Sequence, residues 1–308
     1  MLTDRDSVVV GIHCWGLRFQ LQLRSRIHLL FLRLFRSMLS QLCTVVLLLV
    51  LPGATCLDSM KRGLADIHPW VCDDFLAGAG NLSFAYNWNV LFHCDYLRQN
   101  KLFVPMIWGA GTLQMNLTNY SYFNAPALLG FNEPNHDSQS NMSPQESARL
   151  WPKVEHLAHK WNISRIGSPA AAPCGSGCNG GSPIEWFTHF FNNCTDCKVD
   201  FLATHYYGCE PGQLQSYLDS LKVFNRSIWL TEFNCGCNPA VPLKDQLRYM
   251  RQALTVLESD PAVERYSWFC GHNTFNPRAA LFTTVPDGRG GTVVLPTELG
   301  QLYLSFSI

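Results

Sequence analysis

Apolar residues along this chain gather in short, nearly unbroken runs, separated by segments whose apolar positions recur at helical spacing. Eight runs predict strands: Arg62 to Asp66, Phe84 to Trp88, Phe103 to Trp108, Ala127 to Asn132, Arg165 to Ala171, Phe201 to Tyr207, Ser227 to Glu232 and Arg265 to Cys270. They do not alternate cleanly with polar residues, which is the pattern of strands buried on both faces. Helix starts are marked by chemistry as well as spacing. Ser143-Pro144-Gln145-Glu146 supplies an N-cap serine, a proline for the first turn and a glutamate that can close a capping box, and Ser182-Pro183-Ile184-Glu185 repeats it. Pro242 to Glu258 reads as a third helix, amphipathic through Leu247, Met250, Ala253, Leu254 and Leu257, and Pro296 to Phe306 as a closing one. Eight strand-then-helix units in about 250 residues predict an α/β fold, a single-domain (β/α)8 barrel. The alternative is an open doubly wound sheet. It lacks the Gly-x-Gly-x-x-Gly turn after the first strand, and the glycines of 175–181 lie between two cysteines, as in a stapled loop.

The N-terminal region changes the picture of where the chain goes. No charged residue occurs from Ser37 to Leu57, the stretch from Val45 to Leu51 is wholly apolar, and Pro52-Gly53-Ala54-Thr55-Cys56 follows. This order of apolar core, helix break and small residues predicts a signal peptide over 38–56. Residues 1–37 then form an extended basic lead-in or precede the true start at Met38, and 57–308 form the catalytic domain. A retained anchor, with the barrel facing the lumen or exterior, is the alternative, since about 20 apolar residues can span a bilayer.

Two further patterns point to the secretory route. Seven Asn-x-Ser/Thr sequons follow, at Asn81, Asn116, Asn119, Asn141, Asn162, Asn193 and Asn225. Ten cysteines lie beyond Cys56, an even number, which in an oxidising compartment predicts disulfides whose pairing the sequence leaves open. Cys174/Cys178 and Cys194/Cys197 also have spacings found in zinc or redox sites, but the spacing does not repeat as paired ligand knuckles do. Lys plus Arg equals Asp plus Glu at 23 each, so no basic face invites nucleic acid.

The candidate chemistry sits at the ends of two predicted strands. Glu133 ends the fourth and Glu232 the seventh, and a barrel brings both tips to one rim. A carboxylate at the end of a buried strand is costly to desolvate, so it has a partner or a task. Two of them suggest the acid and nucleophile of a retaining glycosidase, which needs its carboxyls about 5–5.5 Å apart. His205 and Tyr207 share a parity on the sixth strand and face the same way, towards Glu232 or a sugar hydroxyl. Trp88, Trp108 and Trp268 near other strand ends are candidate stacking platforms, and Asn87 and Asn273 weaker polar ones.

Asn132-Glu133-Pro134 resembles the Asn-Glu-Pro signature of the large clan of retaining β-glycosidases with barrel folds, and Trp229-Leu230-Thr231-Glu232-Phe233 is similar to its nucleophile strand. More closely, the chain from about Lys61 to Phe306 resembles glycoside hydrolase family 128, whose core is also called the alkali-sensitive-linkage-protein-like glycosyl hydrolase domain. The segments that carry this are Arg62-Gly63-Leu64-Ala65, Tyr86-Asn87-Trp88, Val104-Pro105-Met106-Ile107-Trp108-Gly109, Leu129 to Asn135, Gly167-Ser168-Pro169-Ala170, Asp200 to Tyr207, and Leu295 to Gly300. The resemblance implies endo-hydrolysis of β-1,3-glucan with retention, with Glu133 as acid/base, Glu232 as nucleophile and Asn132 as a sugar-hydroxyl ligand. It implies no metal or organic cofactor, a β-glucan as the binding partner, no obligate protein partner and a monomer. Two alternatives stand beside it: another β-linked glycan as substrate, and a non-catalytic glucan-binding protein on the same scaffold.

Overall fold

A computed structural model of the protein describes residues 60–65, 82–91, 94–117, 125–174, 177–179, 181–236, 241–272 and 276–308. The predicted leader over 38–56 and the extension before it lie outside the described residues, as do the sequons at Asn81 and Asn119. Among the described residues no helix is long and apolar enough to cross a membrane.

Five strands form a continuous parallel sheet in the order β2 (Phe84–Tyr86), β1 (Arg62–Ala65), β5 (Val263–Trp268), β4 (Ser227–Asn234), β3 (Phe201–Tyr207). Single parallel bridges carry the pairing from β2 round to β3: Ala85 to Phe103, Met106 to Leu129, Leu128 to Ile166 and Gly167 to Phe201. All eight predicted strand positions are therefore linked in sequence order, and β5 beside β1 joins the last to the first. The fold is an α/β barrel of the TIM type.

Period-two alternation sorts the apolar residues into two cores. Ala65, Phe84, Tyr86, Val104, Met106, Leu129, Ala170, Phe201, Ala203 and Trp229 fill the barrel interior. Leu64, Ala85, Phe103, Leu128, Ile166, Leu202, Ile228 and Leu230 face outward and pack beneath the helices. This double burial is why the strands read as continuous apolar runs.

Among the described residues the α-helices are α1 (Asp95–Gln99), α2 (Pro144–Lys160), α3 (Pro183–Asn193), α4 (Pro211–Leu221), α5 (Leu243–Ser259) and α6 (Glu298–Ser305). Ser143 caps α2 by accepting from Glu146 N, and Ser182 with Glu185 forms a full capping box on α3. The closing helix starts two residues later than the sequence predicts. Thr297 caps it through Gly300 N, while Pro296 ends a strand. That strand, β7 (Thr292–Pro296), pairs antiparallel with β6 (Phe282–Pro286) in a hairpin the sequence reading lacks. Its exposed Val293 and Leu295 gave no buried-strand signal.

Disulfides join Cys174 to Cys178, Cys194 to Cys197 and Cys209 to Cys235. The two short spacings are thus covalent staples. Cys209 follows β3 and Cys235 follows β4, so the third bridge ties together the strands carrying His205 and Glu232. The described sequons Asn116, Asn141, Asn162, Asn193 and Asn225 are all exposed.

At the amino-terminal end of the barrel, Arg165 grips Glu264 through two hydrogen bonds of 2.5 and 2.8 Å, and Ser227 Oγ donates to the same carboxylate at 2.6 Å. Burial pushes Glu264 upward, but these bonds and the Arg165 charge outweigh it and pull its pKa down to about 2.

Candidate active site

Glu232 reaches the rim through an irregularity in β4. Thr204 pairs with Leu230, yet the next residue of β3, His205, pairs with Glu232. Thr231 is the extra residue of a bulge. Strict alternation would place Glu232 on the outward face with Ile228 and Leu230. The bulge turns it instead beside His205, a familiar use of bulges near functional sites.

Glu133 arrives differently. It precedes Pro134, whose ring disfavours right-handed helical geometry at the residue before it. Its backbone adopts φ 39°, in the left-handed region that non-glycine residues enter at a cost. Glu133 N donates to Ala170 O at 3.1 Å, and His136 N donates back to Glu133 O at 3.0 Å.

These two backbone features bring the carboxyls together around one imidazole. Glu133, His205 and Glu232 each present an atom within 4.8 Å of the others. His205 Nδ1 lies 2.7 Å from Glu133 Oε1, while Nε2 lies 3.4 Å from Glu232 Oε1, without hydrogen-bond alignment. Glu133 is 8% exposed, Glu232 4% and His205 fully buried.

Glu232 lies in a bed of donors. Trp88 Nε1 donates to Oε1 at 2.6 Å and the Tyr207 hydroxyl to Oε2, while Tyr86 OH donates to Thr231 O at 2.9 Å and lies 3.4 Å from Oε1. Burial and the neighbouring carboxylates hold the Tyr86 phenol well above its usual pKa, so it stays a donor. Two donors aimed at one carboxylate, the Trp88 N–H and the Tyr207 O–H, suit negative charge there without a cation. On residue type alone the two glutamates and His205 could ligate a metal, but these donor hydrogens already occupy Glu232. A second cluster, His136 with Cys174 and Cys178, has its sulfurs joined to each other and offers no thiolates.

The three titrating groups influence one another strongly. Burial raises Glu232 above the ordinary carboxyl range and the Glu133 charge adds to this, against the pull of His205, Tyr207 and Trp88. Burial also pushes Glu133 up, but its hydrogen bond to His205 and that ring's charge bring it below the usual value. For His205, burial favours the neutral ring, and the carboxylates of Glu232 and then Glu133 overcome it, leaving its pKa raised.

Asn132 adjoins the pair. It is buried, its Nδ2 donates to Gln139 Oε1 at 3.2 Å, and its Oδ1 has no protein partner. Trp108 is partly exposed and packs on the inner core at the same rim.

Other candidates fall elsewhere. Trp268 does not line the cleft: it is fully buried, its Nε1 donates to Ala279 O at 2.7 Å, and its ring packs edge-on against Phe233. Its parity on β5 sends it outward under α5. Asn87 is engaged within its own loop, donating to Leu91 O at 3.1 Å and accepting from Asn89 N at 3.3 Å, so its amide serves the turn. His205 lies behind the carboxylates and contacts them rather than open space. Asn273 is outside the described residues. Three residues join the site without a chemical signal of their own in the sequence: Tyr86, which shares Trp88's parity, Gln139, which only the folded loop brings to Asn132, and Phe269, whose ring lies 5.6 Å from Trp88 and 5.7 Å from Tyr207.

Comparison with known proteins places this rim in a family. The profile of the glycosyl hydrolase catalytic core matches residues 63–303. Alkali-sensitive linkage protein 1 of Schizosaccharomyces pombe is 28% identical over 257 residues, a match covering 80% of this chain and 45% of that longer protein. The crystal structure of a subgroup II endo-β-1,3-glucanase of family 128 from Sorangium cellulosum superposes with a TM-score of 0.65 at 33% identity, covering 80% of this chain and 98% of that one. A subgroup I endo-β-1,3-glucanase from Amycolatopsis mediterranei, solved with laminaritriose, superposes with a TM-score of 0.61 at 28% identity, covering 80% and 99%. The chain belongs to the glycosyl hydrolase catalytic core family, within glycoside hydrolase family 128, and is a glycosidase.

Proposed function

We propose that the protein is a secreted, monomeric endo-β-1,3-glucanase that cleaves by double displacement, with Glu133 as acid/base and Glu232 as nucleophile. One observation carries this reading: one oxygen of each carboxyl lies within 4.8 Å of the other at one barrel rim, nearer the spacing of a retaining pair than the roughly 6.5–9.5 Å of an inverting one. The substrate class follows from the laminaritriose complex of the Amycolatopsis relative and the activity of both bacterial relatives.

In the first step Glu232 attacks the anomeric carbon while Glu133 gives a proton to the departing glycosidic oxygen. The glycosyl–Glu232 ester forms as the glycosidic bond breaks. In the second step Glu133 takes a proton from water, which displaces Glu232. Trp88, Tyr86 and Tyr207 hold Glu232 in line. Asn132 Oδ1 accepts from the sugar hydroxyl next to the anomeric carbon. Glu133 must carry a proton when the first step begins, although its resting pKa is low. Glucan packed over the site removes its remaining water contact and favours the neutral acid. His205, bonded to Oε1, is the adjacent group with which that proton is shared.

Exposed sequons and the disulfides among the described residues support passage through an oxidising, glycosylating compartment. The test is reducing-end release from laminarin, mixed-linkage β-glucan and cellulose by the purified protein. Rapid release of oligosaccharides from laminarin is expected, with Glu133→Gln slowed by about 10²–10⁴-fold and Glu232→Gln inactive. Preference for cellulose would move the substrate assignment to another β-linked glycan.

A further inference from the structure

Asn135 takes no part in the chemistry described, yet it is fully buried and its side chain is fully used. Its Nδ2 donates to Ala172 O at 2.7 Å and its Oδ1 accepts from Ala172 N at 3.0 Å, so one side-chain amide pairs with a backbone residue as a neighbouring strand would. Nδ2 also lies 3.0 Å from Cys174 Sγ, and Asn135 O accepts from Asn179 N at 2.8 Å. The disulfide between Cys174 and Cys178 closes this part of the loop.

Ala172 lies two residues beyond Ala170, whose carbonyl accepts from Glu133 N. The chain on either side of Pro134 is thus fastened to one short segment: Glu133 by its backbone, Asn135 by its side chain. Between those two anchors Glu133 holds its left-handed φ of 39°. A residue in that region returns to an easier conformation unless its surroundings over-determine it. Relaxation of φ would swing the carboxyl off the His205 ring, which it meets at 2.7 Å.

We infer that Asn135 is a positioning residue for the acid: its paired hydrogen bonds to Ala172 fix the backbone of Glu133 and so aim the carboxyl at the departing oxygen. The inference rests on Glu133 acting as the acid. A residue that only stabilised the loop would lower stability without regard to the leaving group. A residue that aims the acid must show itself where proton donation matters. A sugar alkoxide cannot depart unprotonated, whereas a dinitrophenolate can.

The experiment compares kcat/KM for laminarin and for dinitrophenyl β-laminaribioside in the wild type, Asn135→Ala and Asn135→Asp, with thermal melts of each. Asn135→Ala is expected to lose about 100-fold or more on laminarin, the scale of a misplaced catalytic group, and less than about threefold on the aryl substrate. Asn135→Asp keeps the acceptor for Ala172 N and regains the donor to Ala172 O when protonated. Its laminarin activity should therefore recover as pH falls, relative to wild type. Equal losses on both substrates, or full laminarin activity in a well-folded Asn135→Ala, would overturn the inference. If Asn135→Ala does not fold, the pH response of Asn135→Asp decides, and its absence counts against the role. A wild type that cleaves neither substrate removes the glucanase reading itself, a result seen before any variant is compared.

Discussion

Trp88 donates its indole N–H to Glu232 Oε1 at 2.6 Å from a backbone held at φ 56°. The sequence suggested a stacking surface for sugar at this position. The folded chain uses the ring's polar edge on Glu232 and packs its faces edge-on with Tyr86 and Phe269. Together with the Tyr207 hydroxyl on Oε2, this bond favours the charged form of a carboxylate that burial pushes the other way.

The sign of the pH response follows. The proposed double displacement needs ionised Glu232, so it predicts an acid limb of kcat/KM above the ordinary glutamate range. Removing a donor that favours the anion raises the pKa further. Tyr207→Phe should shift the acid limb upward by about one pH unit, the equivalent of one hydrogen bond to a charged group. An unmoved or lowered limb would separate Tyr207 from the nucleophile's charge.

Glu133→Gln and Glu232→Gln differ in what they leave behind. Loss of the acid should cost about 10²–10⁴-fold on laminarin but far less on an aryl glycoside with a good leaving group. Loss of the nucleophile should abolish turnover of both. Steady-state kinetics on the two substrates checks the assignment, and reversed behaviour would exchange the roles.

Much of this was legible because barrel strands carry their signal locally. Double burial marks each strand, the serine-proline-glutamate starts mark α2 and α3, and the Asn-Glu-Pro and Thr-Glu-Phe strand ends mark the site. What escaped depends on geometry that no spacing encodes. The bulge at Thr231 resets the face of Glu232, so simple parity would have pointed it outward. Trp268 resembles Trp88 in sequence context, yet its place on β5 sends it under α5. Gln139 reaches Asn132 only because the turn after Pro134 folds back, with Met142 N on Pro134 O at 2.8 Å.

The position of Trp268 can be tested through stability. Trp268→Ala should cost about 3–5 kcal/mol, the range for removing a buried aromatic from a packed core. Trp268→Phe should fold and keep the wild-type KM for laminarin. A raised KM in Trp268→Phe would return this ring to the cleft.

At the opposite end of the barrel, Glu264 titrates near pH 2, below the value of about 4.3 for an unstructured glutamate. A depressed folded-state pKa gives stability that is complete above the unfolded value and lost as pH falls through the folded one. Glu264→Gln should therefore lower stability by about 1.5–3 kcal/mol at neutral pH, the range for hydrogen bonds to charged groups. The difference from wild type should shrink between about pH 4 and pH 2. Urea denaturation at several pH values gives the comparison, and a gap independent of pH would assign the loss to packing.

Double displacement by Glu133 as acid/base and Glu232 as nucleophile leaves a stereochemical mark. Proton NMR of laminarin during the first minutes of hydrolysis reads it, because the anomeric signal of the new reducing end appears before mutarotation mixes the forms. Two inversions predict that the β anomer appears first. Initial appearance of the α anomer would mean a single displacement by water and would rule out Glu232 as a nucleophile.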